Sequence, residues 1–225
     1  MVDTKTIEFQ TTFKTSAKRL LDVCASCAGL VLFSPVFVLL SLIIRVVMGP
    51  PVFFRQQRAG LGGRTFEVMK FRTMSTAHDE QGRLLPDRER LTMLGRFLRD
   101  YSLDELPQLW NICIGEMSFV GPRPLLTKYL AFYSADQARR HQVKPGLTGW
   151  AQVSGRNALS WDERFELDLW YVDHWDLLLD AKIIFKTVRS VLRREGTLDG
   201  QGTMPEFTGN TKHPRGSVDC RPDSR

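Results

Sequence analysis

The sequence predicts an α+β fold, mostly helical, with an interrupted apolar N-terminal segment, a small β-hairpin and amphipathic helices. Three observations predict it. Val23–Ile44 runs 22 residues without a charge, with Ser34-Pro35 at its centre. Two β-rich stretches, PVFFRQ (51–56) and TFEVMKFRT (65–73), flank the turn signal AGLGG. Further on, apolar residues recur at helical spacing, as in Leu94, Phe97, Leu98 and Tyr101.

The apolar run is bounded by Asp22 and Arg45 and is long enough to span a bilayer. Proline has no N–H and clashes with the carbonyl four residues back, here Val31, so a helix must kink or break. The Ser34 hydroxyl can bond a carbonyl freed there. Lys14, Lys18 and Arg19 precede the run, and Arg45, Arg55 and Arg58 follow it. Basic flanks prefer the cytoplasmic side. Both ends being basic, a re-entrant helix-break-helix competes with a Pro-kinked spanning helix, and an ordinary core helix fits the length less well. Cys24 and Cys27 form a C-x-x-C inside the run, with no second pair nearby to complete four metal ligands. They read as small apolar side chains.

After the hairpin, residues 75–90 are polar and read as a mobile surface loop. SLDELPQLWN (102–111) follows the first helix, GEMSFVGPRP (115–124) reads as a loop, and 125–141 reads as a helix. KPGLTGW (144–150) is turn-rich, and Ser160-x-x-Glu163 is a capping box for a helix through about Trp170. A basic amphipathic helix, suited to a membrane interface, runs from Asp180 to about Arg194. Beyond Glu195 apolar periodicity ends. The predicted organisation is a leader (1–13), the interrupted helix pair (14–48), a main domain (49–195) and a flexible tail (196–225).

The formal net charge of +6 favours anionic partners. Nucleic acid is not expected, because the basic residues are dispersed over loops without a reader motif. Chemistry is sought at Asp104 and Glu105. Ser102 and Glu105 have the form of a capping box, and Pro107 fits a first helical turn, so the acids sit near a helix start that favours anions. Glu105 as a simple cap is the bland reading. Clustered cations favour another. Arg55 and Arg58 bracket two glutamines, and Lys70 and Arg72 alternate on a predicted strand and so face one side. Arg123 stands between Pro122 and Pro124, and Arg156 lies in SGRN. Together these cations can hold phosphate oxygens. A carboxylate approaches a phosphate dianion when a hard divalent cation such as Mg²⁺ joins them. One acid then holds the metal while its neighbour attacks phosphorus.

SPVF, PVFFRQQRAG, FEVMKFRTM, SLDELPQLWN, GEMSFVGPRP, HQVKPGLTGWAQVSGRN and FELDLWYV occur in this order. Over roughly residues 14–195 the chain resembles the bacterial sugar transferase family, specifically the small monotopic polyprenyl-phosphate phosphoglycosyl transferases. The resemblance implies a Mg²⁺-dependent transfer of a sugar-1-phosphate from a UDP-sugar to undecaprenyl phosphate, with UMP released. It implies Asp104 as nucleophile, forming a phosphosugar-aspartyl intermediate, and Glu105 as the metal ligand. Lys70 and Arg123 become the leading phosphate holders, with Arg58, Arg72 and Arg156 beside them. Ser34-Pro35 corresponds to the family's re-entrant break, and 49–195 to a catalytic domain on the cytoplasmic face of the bacterial inner membrane. Membrane lipid is then a partner, and a homodimer is a possible assembly. Glu116 stands where many relatives carry Asp, and RVVMGPPVFF lacks their Asp-Ser-type residues. Two other readings stand beside it: a membrane-bound diphosphate hydrolase that uses the same acids with water in place of the lipid acceptor, and a non-catalytic lipid-binding or assembly protein whose basic residues dock anionic headgroups.

Overall fold

The structure is a computed structural model that describes residues 4–155, 159–193 and 206–209, with side chains from residue 14 onward. Arg156 lies outside the described residues, as does most of the expected tail.

Helix α1 (Thr4–Leu32) and helix α2 (Ser34–Met48) meet at Phe33. They are bent by 59°. Pro35 falls in the first turn of α2, where its missing N–H is harmless. The Ser34 hydroxyl donates to the Val31 carbonyl at 2.8 Å, closing the gap that proline opens. Among the described residues no single helix is long and apolar enough to cross a membrane; the bent pair qualifies only when its halves are taken together. Val31, Leu32, Val38, Leu42, Val46 and Val47 point away from the rest of the protein.

The hairpin forms as expected. β1 (Phe53–Ala59) pairs antiparallel with β2 (Thr65–Phe71), in a register that sets Phe54 opposite Lys70 and Arg58 opposite Phe66. The turn at Leu61–Gly63 uses Gly62 and Gly63 at φ 62° and 74°, the left-handed region that glycine tolerates. Polar residues 75–90 fold back on themselves, with bridges from Met74 to Leu91 and from His78 to Leu84 and one short helix, α3 (Asp87–Arg90). Helix α4 (Met93–Asp100) is capped by the Thr92 hydroxyl on Gly95 N–H. A single 3₁₀ turn, Leu103–Glu105, leads into α5 (Gln108–Ile114).

The two stretches read as loops each contribute a short strand. β3 (Ser118–Val120) and β4 (Gly146–Thr148) pair in parallel. Their junction is backbone against backbone. A Cβ on Gly121 would lie 2.3 Å from the Lys144 carbonyl oxygen, and one on Gly146 2.1 Å from the Gly121 nitrogen. The helix expected over 125–141 is instead three pieces: a 3₁₀ segment (Thr127–Phe132), α6 (Ala135–Ala138) and a second 3₁₀ segment (Arg139–Gln142). Extended backbone at Tyr133 stops the first, and Ser134 restarts the chain with a capping box to Gln137. After α7 (Trp150–Ser154), the Ser160–Glu163 capping box opens α8, which runs on to His174 (Trp161–His174). α9 (Leu177–Leu192) starts earlier than expected, capped by Asp176, so that Asp180 lies inside its first turn and is buried.

Asp180 helps tie α1 to the domain. It accepts from Tyr171 at 2.7 Å and pairs with Lys18. Asp22 accepts from the Phe119 N–H of β3 at 3.1 Å. Arg19 donates to the Ile112 and Cys113 carbonyls at 2.6 and 2.7 Å, satisfying the C-terminal end of α5. On the other side, α2 buries Leu40 and Ile44 against Phe71 and Leu98.

Of the expected flexible tail, four residues are described (206–209), and one of them, Phe207, is packed into the domain. Phe207 is 3% exposed, among Leu125, Tyr129 and Phe165. An aromatic ring that finds an apolar cup removes enough surface from water to order its neighbours.

Arg72 is 5% exposed and is engaged by the end of α2, donating to Pro50 O at 2.9 Å, to Gly49 O at 2.6 Å and to Met48 O. Replacing it with methionine strands these carbonyls. The expected cost is about 3 kcal/mol, read as a lowered denaturation midpoint of the purified chain.

Candidate active site

Asp104 and Glu105 stand on the 3₁₀ turn between α4 and α5. Ser102 enters this turn at φ 54°, a left-handed conformation that costs a non-glycine residue energy and marks a held geometry. The capping box expected there does not form: Ser102 makes no side-chain cap, and its carbonyl accepts from Glu105 N–H at 3.2 Å instead. The Glu105 carboxylate is thereby free to turn inward. Its Oε1 accepts from Lys70 Nζ at 2.5 Å and from Arg123 Nη2 at 2.8 Å. Lys70 Nζ also lies 3.8 Å from Asp104 Oδ2. Three elements therefore converge: strand β2 through Lys70, the acid turn, and the loop after β3 through Arg123.

Burial pushes the Asp104 carboxyl above the ordinary carboxylate range, and the charge of Glu105 adds to the rise. Lys70, Arg99 and Arg123 oppose it. Burial acts the same way on Glu105, but there Arg123 and Lys70 outweigh it and hold the carboxyl far below its usual range. In return, Glu105 raises the Arg123 guanidinium above its ordinary value. Two neighbouring carboxylates thus have opposite tendencies. Glu105 is locked as an anion, while Asp104 is 8% exposed and holds a proton more readily than an ordinary carboxylate.

Arg58 joins this group. It donates to Pro124 O at 3.3 Å and to Gln56 Oε1 at 2.6 Å, and burial together with nearby Arg123 draws it down to about 10. Arg58, Lys70, Arg99 and Arg123 therefore face two carboxylates, a positive surplus suited to a polyanionic phosphate ligand. Arg72, expected here from strand alternation, is not brought to the site; its Nη1 and Nη2 donate to carbonyls at the end of α2.

Sequence reasoning missed the residues that hold these groups from behind. Asn111, 2% exposed, accepts from Met69 N–H at 3.2 Å and donates to Glu67 O at 2.8 Å, fastening α5 to the edge of β2 beside Lys70. Its amide also donates to Glu116 Oε2 at 2.7 Å. Arg140 donates to Asp168 at 2.6 and 3.1 Å and to the Arg123 carbonyl at 2.8 Å. Both members of that pair are buried. Arg99 bonds Thr73 Oγ1 at 3.1 Å while acting on Asp104. Its place in the last turn of α4, five residues before Asp104, was the available signal for it.

Among the described residues no cluster of three or more His, Cys, Asp or Glu side chains forms a metal cage. Mg²⁺ does not need one, since it commonly takes one or two carboxylates and completes its shell with phosphate oxygens and water. Asp104 and Glu105 fit that donor set. Neither cation bonds Glu105 through Oε2, which leaves that oxygen for a metal.

Comparison with known proteins places the chain among sugar transferases. The family model described as bacterial sugar transferase matches residues 13–194. An uncharacterized sugar transferase of Bacillus subtilis, EpsL, is 52% identical over 86% of this chain and 96% of its own length. A UDP-glucose:undecaprenyl-phosphate glucose-1-phosphate transferase of Caulobacter vibrioides is 42% identical over 78% of this chain and 69% of its own length. The undecaprenyl-phosphate galactose phosphotransferase of Salmonella typhimurium is 39% identical over 80% of this chain but only 41% of its own, longer sequence.

The opposed tendencies of the acid pair are testable by carboxyl NMR with ¹³C-labelled aspartate. Lys70→Met removes a compensating cation and should raise the Asp104 titration by about one pH unit or more. Glu105→Gln removes a like charge and frees two cations, so Asp104 should titrate lower. Shifts of the same sign in both variants would contradict this arrangement.

Proposed function

The chain belongs to the bacterial sugar transferase family, and we propose that it transfers a sugar-1-phosphate from a UDP-sugar to undecaprenyl phosphate, releasing UMP and forming undecaprenyl-diphosphate-sugar. The names of the Caulobacter and Salmonella relatives support this substrate pair. The observation that carries the reading is the buried Asp104–Glu105 pair with Lys70 and Arg123 fixed on Glu105.

In the first step a carboxylate oxygen of Asp104 attacks the sugar-linked phosphorus. The new O–P bond forms as the bond to UMP breaks, and UMP leaves with the electron pair. In the second step a phosphate oxygen of the lipid attacks the same phosphorus. The aspartyl–phosphorus bond breaks and the Asp104 carboxylate is restored. Burial suits Asp104 to this work, since a desolvated carboxylate is a stronger nucleophile. Lys70 and Arg123 neutralise charge building on the phosphoryl oxygens, with Arg58 alongside. Glu105 would hold Mg²⁺, which supplies Lewis-acid compensation of the diphosphate charge when bound. Glu105 also keeps Lys70 and Arg123 aimed at one point, so the substrate meets donors that need little reorganisation.

An acceptor embedded in lipid requires an enzyme at the membrane. The 59° bend and the outward apolar side chains of α1 and α2 support a re-entrant, monotopic anchor on the cytoplasmic face of the bacterial inner membrane. α9 supports an interfacial role: Leu178, Phe185, Val188 and Leu192 are exposed on a helix that also carries Lys182, Lys186 and Arg189. On this reading the protein performs the first membrane step of a glycoconjugate pathway, for a glycoprotein, exopolysaccharide or O-antigen. A homodimer finds no support in the relatives' names and is not part of the proposal.

The test is to incubate the full chain with a panel of UDP-sugars and Mg²⁺ and to record its intact mass. The wild type should gain one sugar phosphate and Asp104→Asn should not, with transfer to undecaprenyl phosphate falling about a thousandfold or more in the variant. Full-rate UMP release without lipid would assign a hydrolase. Undiminished transfer without an adduct would assign a single displacement.

A further inference from the structure

Phe207 lies beyond residues 13–194, the part of the chain that matches the family. It is nevertheless among the buried aromatic side chains. Its ring sits 5.1 Å from Phe165, 5.4 Å from Trp161, 5.8 Å from Tyr129 and 5.9 Å from Tyr133, centroid to centroid. The contacts to Phe165 and Tyr129 are edge-to-face, the arrangement the ring quadrupoles favour. Next to it, Glu206 reaches Lys128 at 2.7 Å.

Two routes lead from this cup to the phosphate-binding arginines. Leu125, in the same cluster, follows Arg123 by two residues, and its carbonyl accepts from Ala59 N–H at 3.0 Å, beside Arg58. Phe165 carries Arg140 over its ring at 5.7 Å, and Arg140 in turn holds the Arg123 carbonyl. The 3₁₀ segment Thr127–Phe132 presents both Tyr129 and Phe132 to the Phe207 ring, at 5.8 and 6.5 Å between centroids. The ring therefore braces this segment from the side of the cup.

We propose that Phe207 is a positioning residue of the site: residues 206–209 work as a clasp, and the Phe207 ring fixes the Arg123 loop and Arg140 from behind. The proposal rests on the sugar-phosphate transfer reading for its effect on catalysis. Loss of the ring loosens the loop that carries Arg123, and small misplacements of a substrate-orienting group are costly.

The full chain is assayed in detergent with the UDP-sugar that gives the adduct. Phe207→Ala should raise the donor KM about tenfold, with a smaller change in kcat, while Phe207→Leu keeps most of the wild-type value. In parallel, amide hydrogen exchange over residues 121–132 should quicken in Phe207→Ala and stay near wild type in Phe207→Leu. Unchanged donor KM in a folded Phe207→Ala protein overturns the proposal, as does unchanged exchange. If the wild type transfers no sugar phosphate, the functional reading fails instead, and the exchange measurement still decides whether the clasp exists.

Discussion

Glu105 is the point on which the site turns. A carboxylate that accepts from Lys70 and Arg123 through a single oxygen must be ionised, and burying it would be unfavourable without both cations. The reverse also holds: neither cation would remain in place without the anion between them. That mutual dependence joins a strand, a 3₁₀ turn and a loop far apart in sequence. It also sets the character of Asp104, whose carboxyl is left with fewer compensating contacts and a stronger affinity for a proton.

Around this centre the support comes in layers. Asn111 fastens β2 to α5, and Arg140 with Asp168 fastens the Arg123 loop to α8. Arg19 and Asp22 fasten α1 to α5 and β3. The helix proposed to enter the membrane therefore makes direct bonds to the helix after the acid turn and to the strand before Arg123. Anchor and site are parts of one hydrogen-bonded framework. In physical terms, the α1 docking face and the Arg123 loop share one element, β3, to which Asp22 is bonded directly.

How much of this was legible depended on whether the signal was local. The Pro35 break and the Ser34 hydroxyl bond follow from one residue's missing N–H, and the hairpin from its glycine turn. Asp104, Glu105, Lys70, Arg58 and Arg123 stood out as unusual charges near turns. Arg72 did not follow its expectation, because strand alternation fixes a side of the sheet but not which element covers each end. There the carbonyls closing α2 claimed it. Arg140 and Asp168 did not stand out in the sequence, since a buried ion pair separated by 28 residues has no local signature. The same is true of β3 and β4, three residues each and paired across a long gap, and of Phe207, one ring in a polar tail. Over 125–141 the helical pattern was real but Ser134 interrupted it, a case of cap chemistry prevailing over periodicity.

The glycine seam between β3 and β4 has a consequence for how such a protein diversifies. Gly121, Gly146 and Gly149 bring two backbones so close that a Cβ on any of them would overlap main-chain atoms, at 2.1–2.3 Å. Main chain cannot rotate aside as a side chain can. The start of the loop carrying Arg123 is consequently fixed by atoms that every amino acid shares. Change in such a protein would have to fall on side chains outside these three positions, because at the seam any Cβ meets main chain.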